Sequence, residues 1–205
     1  MELSTKYPVY YMDKDNLLLP LKELASVAEE AIELFLNETG AQKVNIVAWS
    51  RAGLAARIIA CDMPDKVASV TTVCTPHRGL RGTDGIMGKL VKKCWYKLVG
   101  TAPKAFELAV KTMSPLYMQG FNERYPNVED IFYQSAACAM HPETDKRLSA
   151  ANNILEITDG ENDGVVSVYS ALWGQYGRIY RGVSHLDAAE KDFPELIENL
   201  IQLGL

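Results

Sequence analysis

Ser50 stands where the apolar run Val44-Asn45-Ile46-Val47-Ala48-Trp49 gives way, within two residues, to a helical pattern opening at Ala52. A tight turn at such a junction lifts a hydroxyl above the C-terminal edge of a sheet, where it can attack an electron-poor carbon. The helix that follows aims backbone N–H groups and the positive end of its dipole at the same place, which suits a developing oxyanion. Strand and helix backbones nearly touch there, so small residues are needed two before and two after the serine. Ala48 and Ala52 meet that need. Taken alone, the motif reads equally well as a serine N-cap on an ordinary helix.

A serine nucleophile requires a base, and the chain offers three histidines. His185 follows a strand-like run, 177–183, and precedes a closing amphipathic segment, which places it in a loop at the edge that holds Ser50. His77 also follows a strand, within Thr75-Pro76-His77-Arg78-Gly79, and His141 reads as a surface residue of a polar stretch. The imidazole in turn needs an acid to fix its tautomer and stabilise its cation. Asp163, in Gly160-Glu161-Asn162-Asp163-Gly164, follows the run 153–157, read here as a strand, and so falls at that edge too. Three strand ends in the chain order serine, aspartate, histidine are far more specific than the serine alone. Such a set can form and hydrolyse an acyl-enzyme on Ser50, with the Arg51 backbone N–H as first oxyanion donor.

The elements that must hold these groups are readable from periodicity. Tyr7–Met12 is aromatic and β-branched and predicts a strand. Leu21, Leu24, Ala28, Ala31, Ile32 and Phe35 share one helical face, and Gly40 marks the stop. Val44–Trp49 and Val67–Val73 read as strands buried on both faces, with a helix from Ala52 to about Met63 between them. From Leu80 to about Tyr125 the segments read as helices and carry many large apolar residues, among them Trp95, Tyr96, Met113, Leu116 and Tyr117. They either pack on the sheet or form a cap over an apolar pocket. Strands at 130–135, 153–157 and 177–183 and a helix over 187–203 complete one α/β domain spanning residues 1–205, with a mostly parallel sheet.

Composition narrows the function classes. The 205 residues are 48% hydrophobic and 23% charged, enough for one globular core. Twenty-one basic against 26 acidic residues leave a net charge of −5, which disfavours nucleic acid as a partner. No run of about 18 apolar residues suggests a membrane span. No basic-then-apolar leader precedes Tyr7, so a cytoplasmic location is the default expectation. Cys61, Cys74, Cys94 and Cys138 match neither zinc nor redox spacing and read as reduced thiols. No dinucleotide fingerprint, phosphate loop or His-x-x-x-His pair occurs, so neither cofactor nor metal is expected.

Several stretches resemble the bacterial triacylglycerol lipase and esterase branch of the α/β-hydrolases, particularly clostridial and related Firmicutes forms. They are Lys43–Gly53, Val67–Gly79, Phe132–Ser135, Glu161–Val166 and Ser184–Asp187. The resemblance implies an α/β-hydrolase fold with a helical cap over about 80–125 and no cofactor. It implies cleavage of acyl esters or acylglycerols, with Ser50 as nucleophile, Asp163 as triad acid and His185 as base. His77 becomes a structural residue of its turn, and Asp187 matches an aspartate near a structural calcium in some relatives, whose other ligands are not recognisable here.

The departures are also specific. Trp49 stands where these lipases usually carry histidine, and Ala52 where they carry glycine. Relatives have an upstream strand ending in His-Gly that supplies the second oxyanion donor, and on that comparison this chain is N-terminally shortened. With strand 7–12 in the vacant slot, the Met12–Asp13 loop would be the substitute donor. The alternative reading is a relative that binds apolar ligands without turnover; acyl transfer to an acceptor other than water uses the same residues.

Overall fold

The structure, a computed structural model, describes residues 6–12, 19–81, 85–99 and 103–205. Chain order is α1 (Leu21–Thr39), β1 (Val44–Trp49), α2 (Ala52–Asp62), β2 (Val67–Val73), α3 (Gly85–Val99), α4 (Pro103–Lys111), α5 (Pro115–Arg124), β3 (Phe132–Ala139), α6 (Ser149–Asp159), α7 (Val168–Ala171), β4 (Tyr176–Arg181) and α8 (Pro194–Gln202). The four strands form one sheet in the order β1-β2-β3-β4, every pair parallel. Each parallel step needs a crossover, and the helices between strands supply it. All four strand C-termini therefore share one edge.

Burial follows the layers. One cluster packs α1, α2 and α5 against one face of the sheet, through residues such as Leu24, Leu54, Ile58, Val70 and Phe121. A second lies under α3, α4 and α6, through Trp95, Phe106, Leu148 and Leu155. A third joins Val73, Cys74, Ala136 and Cys138 to Leu196 of α8. The predicted stop of α1 holds: Gly40 takes the left-handed conformation (φ 71°), and its N–H caps the Leu36 carbonyl.

Three expectations change. Tyr7–Met12 pairs with no strand among the described residues and is exposed along its length, the Tyr10 ring lying 6.3 Å from that of Phe35. Aromatic and β-branched residues favour a strand only where a pleated neighbour covers them, and here none does. Residue 13, the other half of the Met12–Asp13 loop, lies outside the described residues.

The run 153–157 is helical, inside α6. Its buried positions are Ala151, Asn152 and Leu155, whereas Ile157 is 81% exposed, so burial recurs at helical spacing rather than every second residue. The closing helix is interrupted. A short 3-10 turn covers Asp187–Ala189, and the helix starts afresh with Pro194 in its first turn, where a missing N–H costs nothing. No helix among the described residues is long and apolar enough to cross a membrane.

Candidate active site

Ser50 follows β1 directly with φ 55°, a left-handed backbone rare outside glycine. Three bonds hold that conformation. The Ser50 N–H donates to the Val73 carbonyl at 2.7 Å, and the Ser50 carbonyl accepts from the Thr75 hydroxyl at 2.7 Å and the Gly53 N–H at 3.0 Å. Gly53 is what admits Thr75: a Cβ there would overlap the threonine hydroxyl and lie 2.9 Å from its Cβ. The turn is thus over-determined by its neighbours, as a strained backbone must be to persist.

The strain aims the hydroxyl. Ser50 Oγ lies 2.9 Å from His185 Nε2, and His185 Nδ1 lies 2.7 Å from Asp163 Oδ2. With the carboxylate accepting, Nδ1 carries the proton and Nε2 is left to accept from the serine. His185 is held from several sides. Its N–H donates to the Asp163 carbonyl at 2.8 Å, and its carbonyl accepts from Trp49 Nε1 at 3.1 Å. The two rings lie 5.0 Å apart. Trp49 thus helps to hold His185 in place.

Asp163 is fully buried. Its Oδ1 accepts from the Val165 and Val166 N–H groups at 2.9 and 2.7 Å, so the carboxylate is oriented by backbone rather than by water. The loop carrying it is pinned twice. Asn152 on α6 donates to Asn162 Oδ1 at 2.9 Å, and Trp95 on α3 donates to the Gly164 carbonyl at 2.8 Å. No sequence signal assigns this role to Asn152 or Trp95, since reading 153–157 as a strand hides the helix that presents Asn152.

Arg51 is the N-cap residue of α2, so its backbone N–H stands next to Ser50. Its guanidinium is buried and donates to the Leu19 carbonyl at 2.6 Å. His141 is exposed. His77 is fully buried, with Nε2 2.9 Å from the Thr72 hydroxyl, Nδ1 3.4 Å from an Arg57 nitrogen, and its ring stacked on Trp173. Neither ring nitrogen is available to Ser50.

Burial, then the Arg57 and Arg78 cations, hold the His77 pKa well below the usual histidine value. An unfolded chain therefore binds a proton below about pH 6.5 that the folded one refuses. The stabilisation is complete above that pH and is lost as pH falls toward the folded value. We expect unfolding free energy to drop between pH 6.5 and 5.5, by up to about 1.4 kcal/mol per pH unit from this residue. Denaturant titrations of the wild type and His77→Gln check it, because the substitution should flatten that slope; equal slopes would exclude His77 as its source.

Cys74, Asp163 and His185 are the one group of potential metal ligands found among the described residues. The Asp163 and His185 atoms already face each other across a 2.7 Å hydrogen bond, which leaves no space for an ion between them. Asp187 is exposed and belongs to no such group. All four cysteines are free thiols, Cys74 and Cys138 buried and the other two half-buried.

Residues 20–154 match the model of the α/β hydrolase fold family. The chain belongs to the α/β-hydrolase fold family. Within this family it is 28% identical, over 149 residues, to triacylglycerol lipase 2 of Saccharomyces cerevisiae, covering 70% of this chain and 45% of that protein. It is 26% identical to a triacylglycerol lipase of Pseudomonas fragi over 73% of this chain and 66% of the relative. The chain thus spans less than two thirds of the length of these relatives. Among solved structures, the mature form of a Bacillus licheniformis lipase superposes with a TM-score of 0.70 at 19% identity, over 88% of this chain and 74% of that one. Lipase 1 of Pelosinus fermentans gives 0.57 at 15% identity, over 77% and 71%. At such identities the likeness is one of fold.

Proposed function

We propose that this α/β-hydrolase is a serine carboxylic-ester hydrolase of lipase or esterase type, acting on acyl esters or acylglycerols. One observation carries the reading: the unbroken chain of hydrogen bonds from Ser50 Oγ through the His185 ring to Asp163. In the proposed reaction His185 Nε2 takes the hydroxyl proton as Ser50 Oγ bonds to the ester carbonyl carbon. The carbonyl π electrons move onto oxygen, where the Arg51 N–H stabilises the anion. Collapse expels the alcohol, which receives the proton from Nε2. Water then repeats the sequence on the acyl-enzyme and releases the carboxylic acid. Asp163 keeps Nδ1 protonated and steadies the imidazolium throughout.

The apolar acyl half finds support in the helices over 80–125, which we read as a cap. A groove of about 570 Å³ has Arg51, Leu108, Leu116, Tyr117 and Phe121 in its walls; it adjoins Ser50 through Arg51 alone, since Ser50, Asp163 and His185 do not line it. The names of the curated relatives, triacylglycerol lipases, agree with such a substrate.

Hydrolysis of p-nitrophenyl butyrate tests the proposal. The wild type should exceed Ser50→Ala by at least about 10³-fold in kcat, and a fluorophosphonate should label only the former. Equal rates together with equal labelling would leave the chain a non-catalytic binder of apolar ligands.

A further inference from the structure

Cys74 is the residue after β2, as Ser50 is the residue after β1, and the two strands pair Trp49 with Val73. It too takes a left-handed backbone, φ 52°, and these are the two non-glycine residues that do so among those described. Its N–H is fixed to the Ala136 carbonyl at 2.8 Å. A cysteine there costs strain that a glycine would avoid, so the side chain is the part that needs a reason. That side chain is fully buried, and Sγ lies within 4.8 Å of a carboxylate oxygen of Asp163 and of one ring nitrogen of His185.

The acid explains the placement. An ionised carboxylate offers about four acceptor positions. In Asp163 backbone N–H groups of Val165 and Val166 take two and His185 Nδ1 a third. No solvent reaches Asp163 to fill the last. We propose that Cys74 is a positioning residue of the triad, its S–H donating to the remaining acceptor position of Asp163. The thiol thereby tempers how strongly the carboxylate pulls on the imidazole N–H and holds the carboxylate in line with it.

The thiol is suited to stay a donor. Burial above all, then Cys138 and Asp163 beside it, push its pKa well above the ordinary thiol range, so it remains protonated. The titratable groups against it are Asp163, His185 and, from β3, Cys138. A neutral donor softens the acid without cancelling its charge, as a cation would.

The inference rests on the hydrolase reading, and the test separates the two. In a Ser50→Ala background, which needs no turnover, the His185 Nδ1–H proton resonance should move downfield on Cys74→Ala and stay near its original place on Cys74→Ser. In the active enzyme, Cys74→Ala and Cys74→Gly should both raise the midpoint of the acid limb of kcat/KM, by about half a pH unit, with KM unchanged. Cys74→Gly relieves the left-handed backbone, so it controls for a merely structural effect. Cys74→Ser should hold the midpoint at or below the wild-type position. A resonance that ignores Cys74→Ala, or a serine variant that moves with the alanine one, would overturn the assignment. If no variant has activity but the resonance responds as stated, the positioning role stands and the hydrolase reading fails.

Discussion

Asp163→Asn is expected to lower kcat by about 10⁴-fold with little change in KM. The substitution is nearly isosteric, and the amide oxygen can still accept from the Val165 and Val166 N–H groups now bound by Oδ1. The amide nitrogen then occupies the place of Oδ2, 2.7 Å from His185 Nδ1. A donor facing Nδ1 forces that nitrogen to accept and moves the ring proton to Nε2. His185 then donates to Ser50 Oγ instead of accepting from it, and no base remains for the hydroxyl proton. The forming imidazolium loses its counter-charge as well. The same defect should make the acid redundant with the base: Asp163→Asn combined with His185→Ala should be no worse than His185→Ala alone. Steady-state kinetics on p-nitrophenyl esters read both results. A single variant within about tenfold of wild type would mean that Asp163 does not set the tautomer.

That chain of three was readable before any coordinates because each member sits at a boundary between two patterns. Ser50 ends an apolar run, His185 separates a β-like segment from an amphipathic one, and Asp163 lies in a Gly-flanked polar turn. The sheet was readable where runs such as Val67–Val73 are uncharged and rich in β-branched residues, a composition that suits a strand buried on both faces. Short ambiguous segments misled for opposite reasons. Residues 153–157 are short and apolar enough to read as a strand, yet Ile157 faces solvent and Leu155 the core, a choice made by packing against α3 and not by local letters. Tyr7–Met12 has strand-forming residues and no strand partner among the described residues. What letters could not show was the layer behind Ser50, His185 and Asp163. Asn152, Trp95, Thr75 and Cys74 act at sequence distances of ten to about ninety residues, and no spacing rule reaches that far.

Gly53 is where that hidden layer should respond most sharply, and Gly53→Ala is expected to damage both folding and turnover. Helix propensity alone argues the other way, since alanine near the start of α2 is favoured over glycine by up to about 1 kcal/mol. Sterics reverse the sign. The new methyl would overlap Thr75 Oγ1 and lie 2.9 Å from Thr75 Cβ and Cγ2, and Thr75 is fully buried with no room to retreat. Overpacking of this kind costs about 1–3 kcal/mol. Displacing Thr75 also breaks its 2.7 Å bond to the Ser50 carbonyl, one of the three that hold the left-handed turn. A shift of about 1 Å in the nucleophile can cost 10²-fold in rate, so kcat should fall by about that factor. The pair Gly53→Ala, Thr75→Gly divides the two effects. Clearing the space should restore most of the melting temperature, whereas the Ser50 carbonyl still lacks its donor and turnover should stay low. Recovery of both together would show that the threonine hydroxyl contributes nothing to aiming the serine, and an unaltered Gly53→Ala variant would show that α2 can draw back from β2 at no cost.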